Sequence, residues 1–392
     1  MKVVVGGVGI VSSLGAGVEA HIAAMRHGRS GIAPHPVVLR TDNRLPVGEF
    51  TATNEEIHRM LDIPVGSHLS RTALLGILAV REALVDAKVP EGLRVGLVSA
   101  TSVGGMDLTE NFFRDFMIDE SRGRLREVRM HDCAASTETI ARYNGIDGYR
   151  TTVSTACSSA ANALILGAKL VRHGIVDCVV AGGTDALSAF TLNGFKSLMI
   201  LDEKPCRPFD ESRAGLNLGE GAGYVVLMRE EDAPNPYCTL AGCSNCNDAY
   251  HQTASSPDGT GAYRAMTGAL AMAGIRPDRV DYINVHGTGT PNNDAAESAA
   301  LRRLFGSRVP AFSSTKAFTG HTLAAAGGIE AVFAALAVKY GYLYPNLNFE
   351  NPIEGHELVP VRAFEEGREV KYVLSNSFGF GGNCSSLFFA KD

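Results

Sequence analysis

A cysteine, two histidines, a lysine and a glutamate fall in short motifs of small residues and glycines. Cys157 lies in TACSS, His286 in NVHGTGT, Lys316 and His321 in SSTKAFTGH, and Glu330 in AAAGGIE. Cys157 stands where a run of alternating β-branched residues (Thr151, Val153, Thr155) gives way to an apolar helical run. A cysteine at the first turn of a buried helix meets unpaired N–H groups and the positive end of the helix dipole, which favour thiolate over thiol. Cys157 is therefore a candidate nucleophile for covalent catalysis. Read singly, each residue has a plainer explanation. Free cysteine is often inert packing, histidines near glycine turns are often hydrogen-bonded structural groups, and Lys316 and Glu330 could be an ordinary ion pair.

The elements that must hold these residues show a repeat. Lys2 to Ile10 reads as a strand, followed by a helix near Gly17 to His27; Arg71 to Lys88 reads as an amphipathic helix, and LRVGLVSATSVGG as a strand running into a glycine turn. Residues 32–67 carry no clear pattern, and residues 106–148 suggest a helical insertion near the surface or a partner chain. The helix after Cys157 has almost no polar face, so it belongs in the middle of the fold. VDCVVAGGTDA and GAGYVVLMR follow as strands. From Tyr237 the plan recurs: CTLAGCSNCNDAYH as strand and turn, Gly261 to Gly274 as a helix, VDYINVHGTGT, a second strand–turn–buried-helix unit after PAFSS, VKYVLSNSFGFGG and NCSSLFFAKD. Two halves of one order, 1–236 and 237–392, imply a duplicated α/β unit with parallel strands and two buried helices between sheets. Such a fold gathers the turns at its strand ends, so Cys157, His286, Lys316, His321 and the GFGG turn can converge.

Composition narrows the function classes. The 392 residues are 45% hydrophobic and 20% charged, with a formal net charge of -6, which offers no basic footprint for nucleic acid. No apolar run reaches the ~18 residues of a membrane span, and the N-terminal VVVGGVGIVSSLG is too interrupted for a signal peptide, so a cytoplasmic protein is expected. The eight cysteines are scattered as in a reducing compartment. Cys243-Ser244-Asn245-Cys246 lacks the second ligand pair of a structural zinc site, so no metal is expected. GGVG near the start matches a dinucleotide fingerprint only in part, since Ser12 holds the third glycine position. No cofactor is expected.

The ordered set TACSS, GEGAG, NVHGTGTP, SSTKAFTGH and SNSFGFGG resembles the β-ketoacyl-acyl carrier protein synthases of the Cys-His-His elongating type, over nearly the whole chain and most densely from Thr152 onward. The resemblance implies a thiolase-like fold with layers α-β-α-β-α. It implies an acyltransferase of fatty acid synthesis that joins an acyl group, held as a thioester on Cys157, to malonyl-acyl carrier protein with loss of carbon dioxide. It assigns His286 and His321 as the histidine pair, Lys316 and Glu330 as their supporting pair, and Thr288 and Thr290 to the pantetheine arm. Phe380 becomes the gate of the acyl pocket, its N–H joining that of Cys157 in an oxyanion hole. The implied partners are the acyl carrier protein and, as a homodimer, a second copy of the chain.

Two departures and three rivals accompany the resemblance. Asn383-Cys384 follow GFGG where the family usually has Thr-Asn, and residues 106–146 match poorly. The same chemistry could serve a polyene or polyketide-like pathway. A thiolase would use a second cysteine near Cys384, against which His321 and Lys316 argue; a non-catalytic chain-length-factor-like subunit would lack the nucleophile, and Cys157 is present.

Overall fold

A computed structural model describes residues 1–391. Its main strands are β1 (Val3–Ser12), β2 (Val95–Ala100), β3 (Arg150–Val153), β4 (Cys178–Asp185), β5 (Gly221–Arg229), β6 (Cys238–Asn247), β7 (Tyr282–Asn284), β8 (Ala311–Ser313), β9 (Tyr372–Gly379) and β10 (Asn383–Ala390). The helices that matter to the site are α1 (Val18–Arg26), α2 (Arg71–Ala87), α3 (Met106–Ile118), α4 (Cys133–Tyr143), α5 (Ser159–Arg172), α6 (Ala189–Ser197), α7 (Thr260–Ala273), α8 (Pro291–Phe305) and α9 (Ala326–Tyr340).

The strand order is β3-β2-β4-β5-β1-β6-β10-β9-β7-β8. Read outward from the centre, β1-β5-β4-β2-β3 and β6-β10-β9-β7-β8 are the same arrangement of corresponding segments, so the sequence repeat is a repeat of topology. The sheet is mixed, which corrects the all-parallel expectation. Strands β3, β2 and β4 are parallel, as are β8, β7 and β9, while β5, β1, β6 and β10 pair antiparallel. Pattern could not reveal this. Strand β1 is buried at all ten positions and β5 at eight of nine, so both read as the continuous apolar runs of parallel strands.

Helices α2 and α4 cover one outer face, α7 with α8 the other, and α5 and α9 lie side by side between the halves, giving the layers α-β-α-β-α. Thirteen of the fifteen residues of α9 are buried, among them Ile329, Val332, Phe333 and Leu336. Each large apolar side chain so buried stabilises the fold by roughly 1.5–3 kcal/mol. The helical stretch Leu323–Tyr340 is long and, on average, apolar enough to cross a membrane, although Glu330 and Lys339 interrupt its apolar run. It is 89% buried inside the protein, and its apolar surface is core.

The GGVG motif is explained by packing. A Cβ on Gly9 would lie 1.9 Å from the Ala79 carbonyl oxygen, and one on Gly7 would lie 2.5 Å from that of Ala83. These glycines let α2 approach β1 closely, and they face no phosphate-binding turn. Residues 32–67 contain one short helix, Asn54–Met60, and an irregular part held by side chains: buried Glu49 accepts the N–H groups of Val37, Val38 and Leu39 at 2.7, 2.7 and 2.6 Å. Residues 106–148 hold three helical stretches, Met106–Ile118, Leu125–Val128 and Cys133–Tyr143, and α3 lies at the surface with Phe113, Met117 and Ile118 exposed. The segment is not wholly an insertion, because α4 buries Ile140 and Ala141 against α2 as part of the outer layer.

Candidate active site

Beyond β3 the chain turns through Ala156, a non-glycine residue with φ of +52°. Such a backbone costs energy and persists only where its surroundings fix it. Ser159 supplies that support: its hydroxyl donates to the Ala156 carbonyl and accepts the Thr155 N–H at 2.8 Å. The turn sets buried Cys157 two residues ahead of α5. Gly379 of β9 backs onto it, so that a Cβ there would lie 3.1 Å from the Cys157 nitrogen. The next residue, Phe380, brings its backbone N–H to the Cys157 thiol.

Burial opposes the expected thiolate. Burial pushes the Cys157 thiol up to about 12, with Lys316 and the N–H groups of Phe380 and Cys157 pulling it down and Asp185 pushing it further up. Desolvation outweighs helix-end electrostatics here because the sulfur sits in apolar surroundings and ahead of the helix. Alkylation of Cys157 by iodoacetamide is accordingly expected to accelerate steadily from pH 7 to pH 9. A plateau reached by pH 7.5, read on the Cys157 peptide by mass spectrometry, would contradict this.

The C-terminal half brings both histidines to the same place. His286 follows β7, and His321 follows the short helix Lys316–Thr319 beyond β8. Their rings meet edge to face with centroids 5.4 Å apart. The Lys316 ammonium has three donors and three partners: the His286 carbonyl at 2.6 Å, His286 Nδ1 at 3.3 Å, and the buried Glu330 carboxylate. A charged donor at Nδ1 leaves the His286 proton on Nε2, so that imidazole presents a donor from its far side. Burial and then the Lys316 charge hold the pKa of both histidines well below the ordinary value, so both rings are neutral near pH 7. His321 Nδ1 has no hydrogen-bond partner among the described residues. Lys316 and Glu330 stand behind His286, and Ser377 donates to the second Glu330 oxygen at 3.3 Å.

Cys157, His286 and His321 open into one cavity of about 330 Å³ with apolar walls from Phe195, Ile200 and Leu216. Phe380 stacks on Phe195 with ring centroids 5.8 Å apart. Thr288 and Thr290 line the same cavity, their hydroxyls 2.9 Å apart. Cys384 also reaches its wall, and burial raises that thiol strongly. No motif singles out Glu297 on α8. It is fully buried and accepts the N–H groups of His286 and Gly287 at 3.0 and 2.9 Å and the side-chain amide of Asn376 at 3.1 Å. Burial raises its carboxyl to about 7. The one signal available was an acidic residue on the apolar side of a helix directly after NVHGTGTP.

The arrangement offers a buried thiol, backbone N–H groups beside it, and two neutral imidazoles on one apolar cavity. That set suits acyl transfer followed by chemistry at an enolate. Comparison with known proteins agrees. Residues 1–233 match the family model "Beta-ketoacyl synthase, N-terminal domain", and residues 237–350 match "Beta-ketoacyl synthase, C-terminal domain". A 3-oxoacyl-[acyl-carrier-protein] synthase 2 of Synechocystis sp. is 32% identical, with 100% of this chain and 98% of that protein covered. Among solved structures, the ishigamide ketosynthase/chain length factor superposes with a TM-score of 0.93 at 30% identity, covering 100% of this chain and 99% of that one. The type II polyketide synthase complex AntDE:AntF, a ketosynthase with its acyl-carrier protein, superposes with a TM-score of 0.90 at 26% identity, covering 100% and 99%. Matched in both halves and along its full length, the chain belongs to the beta-ketoacyl synthase family.

Proposed function

We propose that this enzyme joins an acyl group, held as a thioester on Cys157, to the two-carbon unit of malonyl-acyl carrier protein, releasing carbon dioxide and giving a 3-oxoacyl-acyl carrier protein. The observation that carries the reading is the opening of Cys157, His286 and His321 into one cavity. In the first half-reaction the Cys157 sulfur attacks the carbonyl of an acyl-carrier thioester. The N–H groups of Cys157 and Phe380 donate to the oxyanion, the carbon–sulfur bond to the carrier breaks, and the carrier leaves as its thiol with the proton that the Cys157 thiol gave up. In the second, malonyl-carrier loses its carboxylate as carbon dioxide. The electron pair of the broken bond forms an enolate whose oxygen accepts hydrogen bonds from His286 and His321. Carbon then attacks the Cys157 thioester, the 3-oxoacyl chain stays on the carrier, and Cys157 leaves as thiolate and regains a proton. Neutral imidazoles suit this role, since each can donate without carrying a fixed charge into the apolar cavity.

Lys316 and Glu330 fix the tautomer and placement of His286. Thr288 and Thr290 contact the pantetheine arm, and Phe380 gates the acyl cavity, its stack on Phe195 being the closed position. The chain acts as two thiolase-like halves, 1–236 and 237–392, in a cytoplasmic homodimer. The relative from Synechocystis, named a 3-oxoacyl-[acyl-carrier-protein] synthase 2, supports fatty acid synthesis as the setting. Incubation with a panel of acyl-carriers and malonyl-carrier tests the reading: mass spectrometry is expected to find 3-oxoacyl-carrier two carbons longer than at least one starter. Absence of any such product across the panel, with carriers shown to be fully loaded, would contradict it.

A further inference from the structure

Asp185 ends β4 as a fully buried carboxylate whose partners are all neutral donors. It accepts the Thr101 hydroxyl at 2.5 Å, the Ser102 hydroxyl at 2.6 Å and the Ser102 and Val103 N–H groups at 3.0 and 3.2 Å, all from the turn that follows β2. Its remaining reach crosses into the other half of the protein, where the Ala324 N–H donates to it at 2.8 Å. Ala324 lies three residues beyond His321. Between them Leu323 has φ of +53°, a left-handed backbone that a branched side chain adopts only when held. Beside this contact, a Cβ on Gly183 would lie 2.9 Å from the Ala324 carbonyl oxygen, so β4 and the histidine turn are in close apposition.

We propose that Asp185 is a positioning residue for His321: by holding the strained Leu323-Ala324 turn to the end of β4, it fixes the imidazole over the site where malonyl decarboxylation occurs. The inference rests on the role given to His321 above. A carboxylate suits the task better than an amide, because it accepts at both oxygens and five neutral donors converge on it. The charge has a second consequence. Asp185 opposes ionisation at three groups, Cys133, Cys157 and Tyr224, and of these only Cys157 opens into the cavity; there Lys316 acts in the opposite sense, and His286, His321, Asp248 and Cys384 are the other titratable groups of the wall.

The test separates the two half-reactions in the full-length protein. Asp185→Asn keeps the shape but places an amide N–H₂ against N–H donors. Malonyl-carrier decarboxylation is expected to fall about 10-fold or more, as small misplacements of a reacting group do, while acylation of Cys157 by acyl-carrier changes less than about 3-fold. Alkylation of Cys157, read on its own peptide, is expected to shift to lower pH. Thr101→Val removes one donor from the carboxylate and leaves the arm to Ala324, so it should show the same split to a smaller degree; it decides the matter if the Asn variant does not fold. Equal losses in both half-reactions, or undiminished decarboxylation, would overturn the inference. His321→Ala run alongside distinguishes the levels. If it decarboxylates normally, the role of His321 is wrong; if it is impaired and Asp185→Asn is not, only the present inference fails.

Discussion

Cys157→Ala is expected to reduce condensation to the uncatalysed background while the protein remains folded and still decarboxylates malonyl-carrier. The thiol is the only atom in this scheme that bonds to the acyl chain, so no neighbouring group can replace it, and the loss exceeds the 10²–10³-fold typical of removing a single hydrogen-bond donor. The fold should tolerate the change because Cys157 lies on a turn held by Ser159 and by the apposed Gly379, not by its own sulfur. Decarboxylation should persist because His286, His321 and their supports are untouched. Condensation by this variant at more than a trace of the normal rate would remove Cys157 from its role.

His321→Ala is expected to slow malonyl-carrier decarboxylation by about 10²–10³-fold, corresponding to ~3–4 kcal/mol for one donor to a developing oxyanion. Acylation of Cys157 should stay within a few-fold, since its oxyanion is served by the backbone of Cys157 and Phe380. The contribution of His321 is large because the imidazole is fully buried, and a hydrogen bond to developing charge is worth more in low dielectric than in water. Measuring released carbon dioxide and acyl-enzyme separately distinguishes this outcome from general misfolding, which would lower both.

Much of this arrangement was legible in the residues. The repeat could be read because equivalent strands end in equivalent glycine turns, and because the helices after Cys157 and His321 both lack a polar face. The layers and the convergence of four separated motifs follow from that repeat. Strand direction in the middle of the sheet could not be read, since β1 and β5 are buried on both faces and show no alternation. The thiolate at Cys157 was expected from the helix end alone, and burial opposes it, because the extent of desolvation depends on what packs over the sulfur. Asp185 was invisible, and Glu297 nearly so, for a related reason. Each is defined by backbone N–H groups that other segments bring to it, from Ser102, Val103 and Ala324 in one case and from His286 and Gly287 in the other. A carboxylate in a list of residues does not announce which turns it will hold.

The central claim is that the acyl chain passes through a thioester on Cys157 before carbon–carbon bond formation. A pulse of acyl-carrier without malonyl-carrier, followed by peptide mass spectrometry, is predicted to find the acyl mass on the Cys157 peptide alone. A chase with malonyl-carrier is predicted to clear that mass as 3-oxoacyl-carrier forms in matching amount. Product formed without the adduct appearing, or an adduct on another residue that discharges at the rate of turnover, would contradict the account.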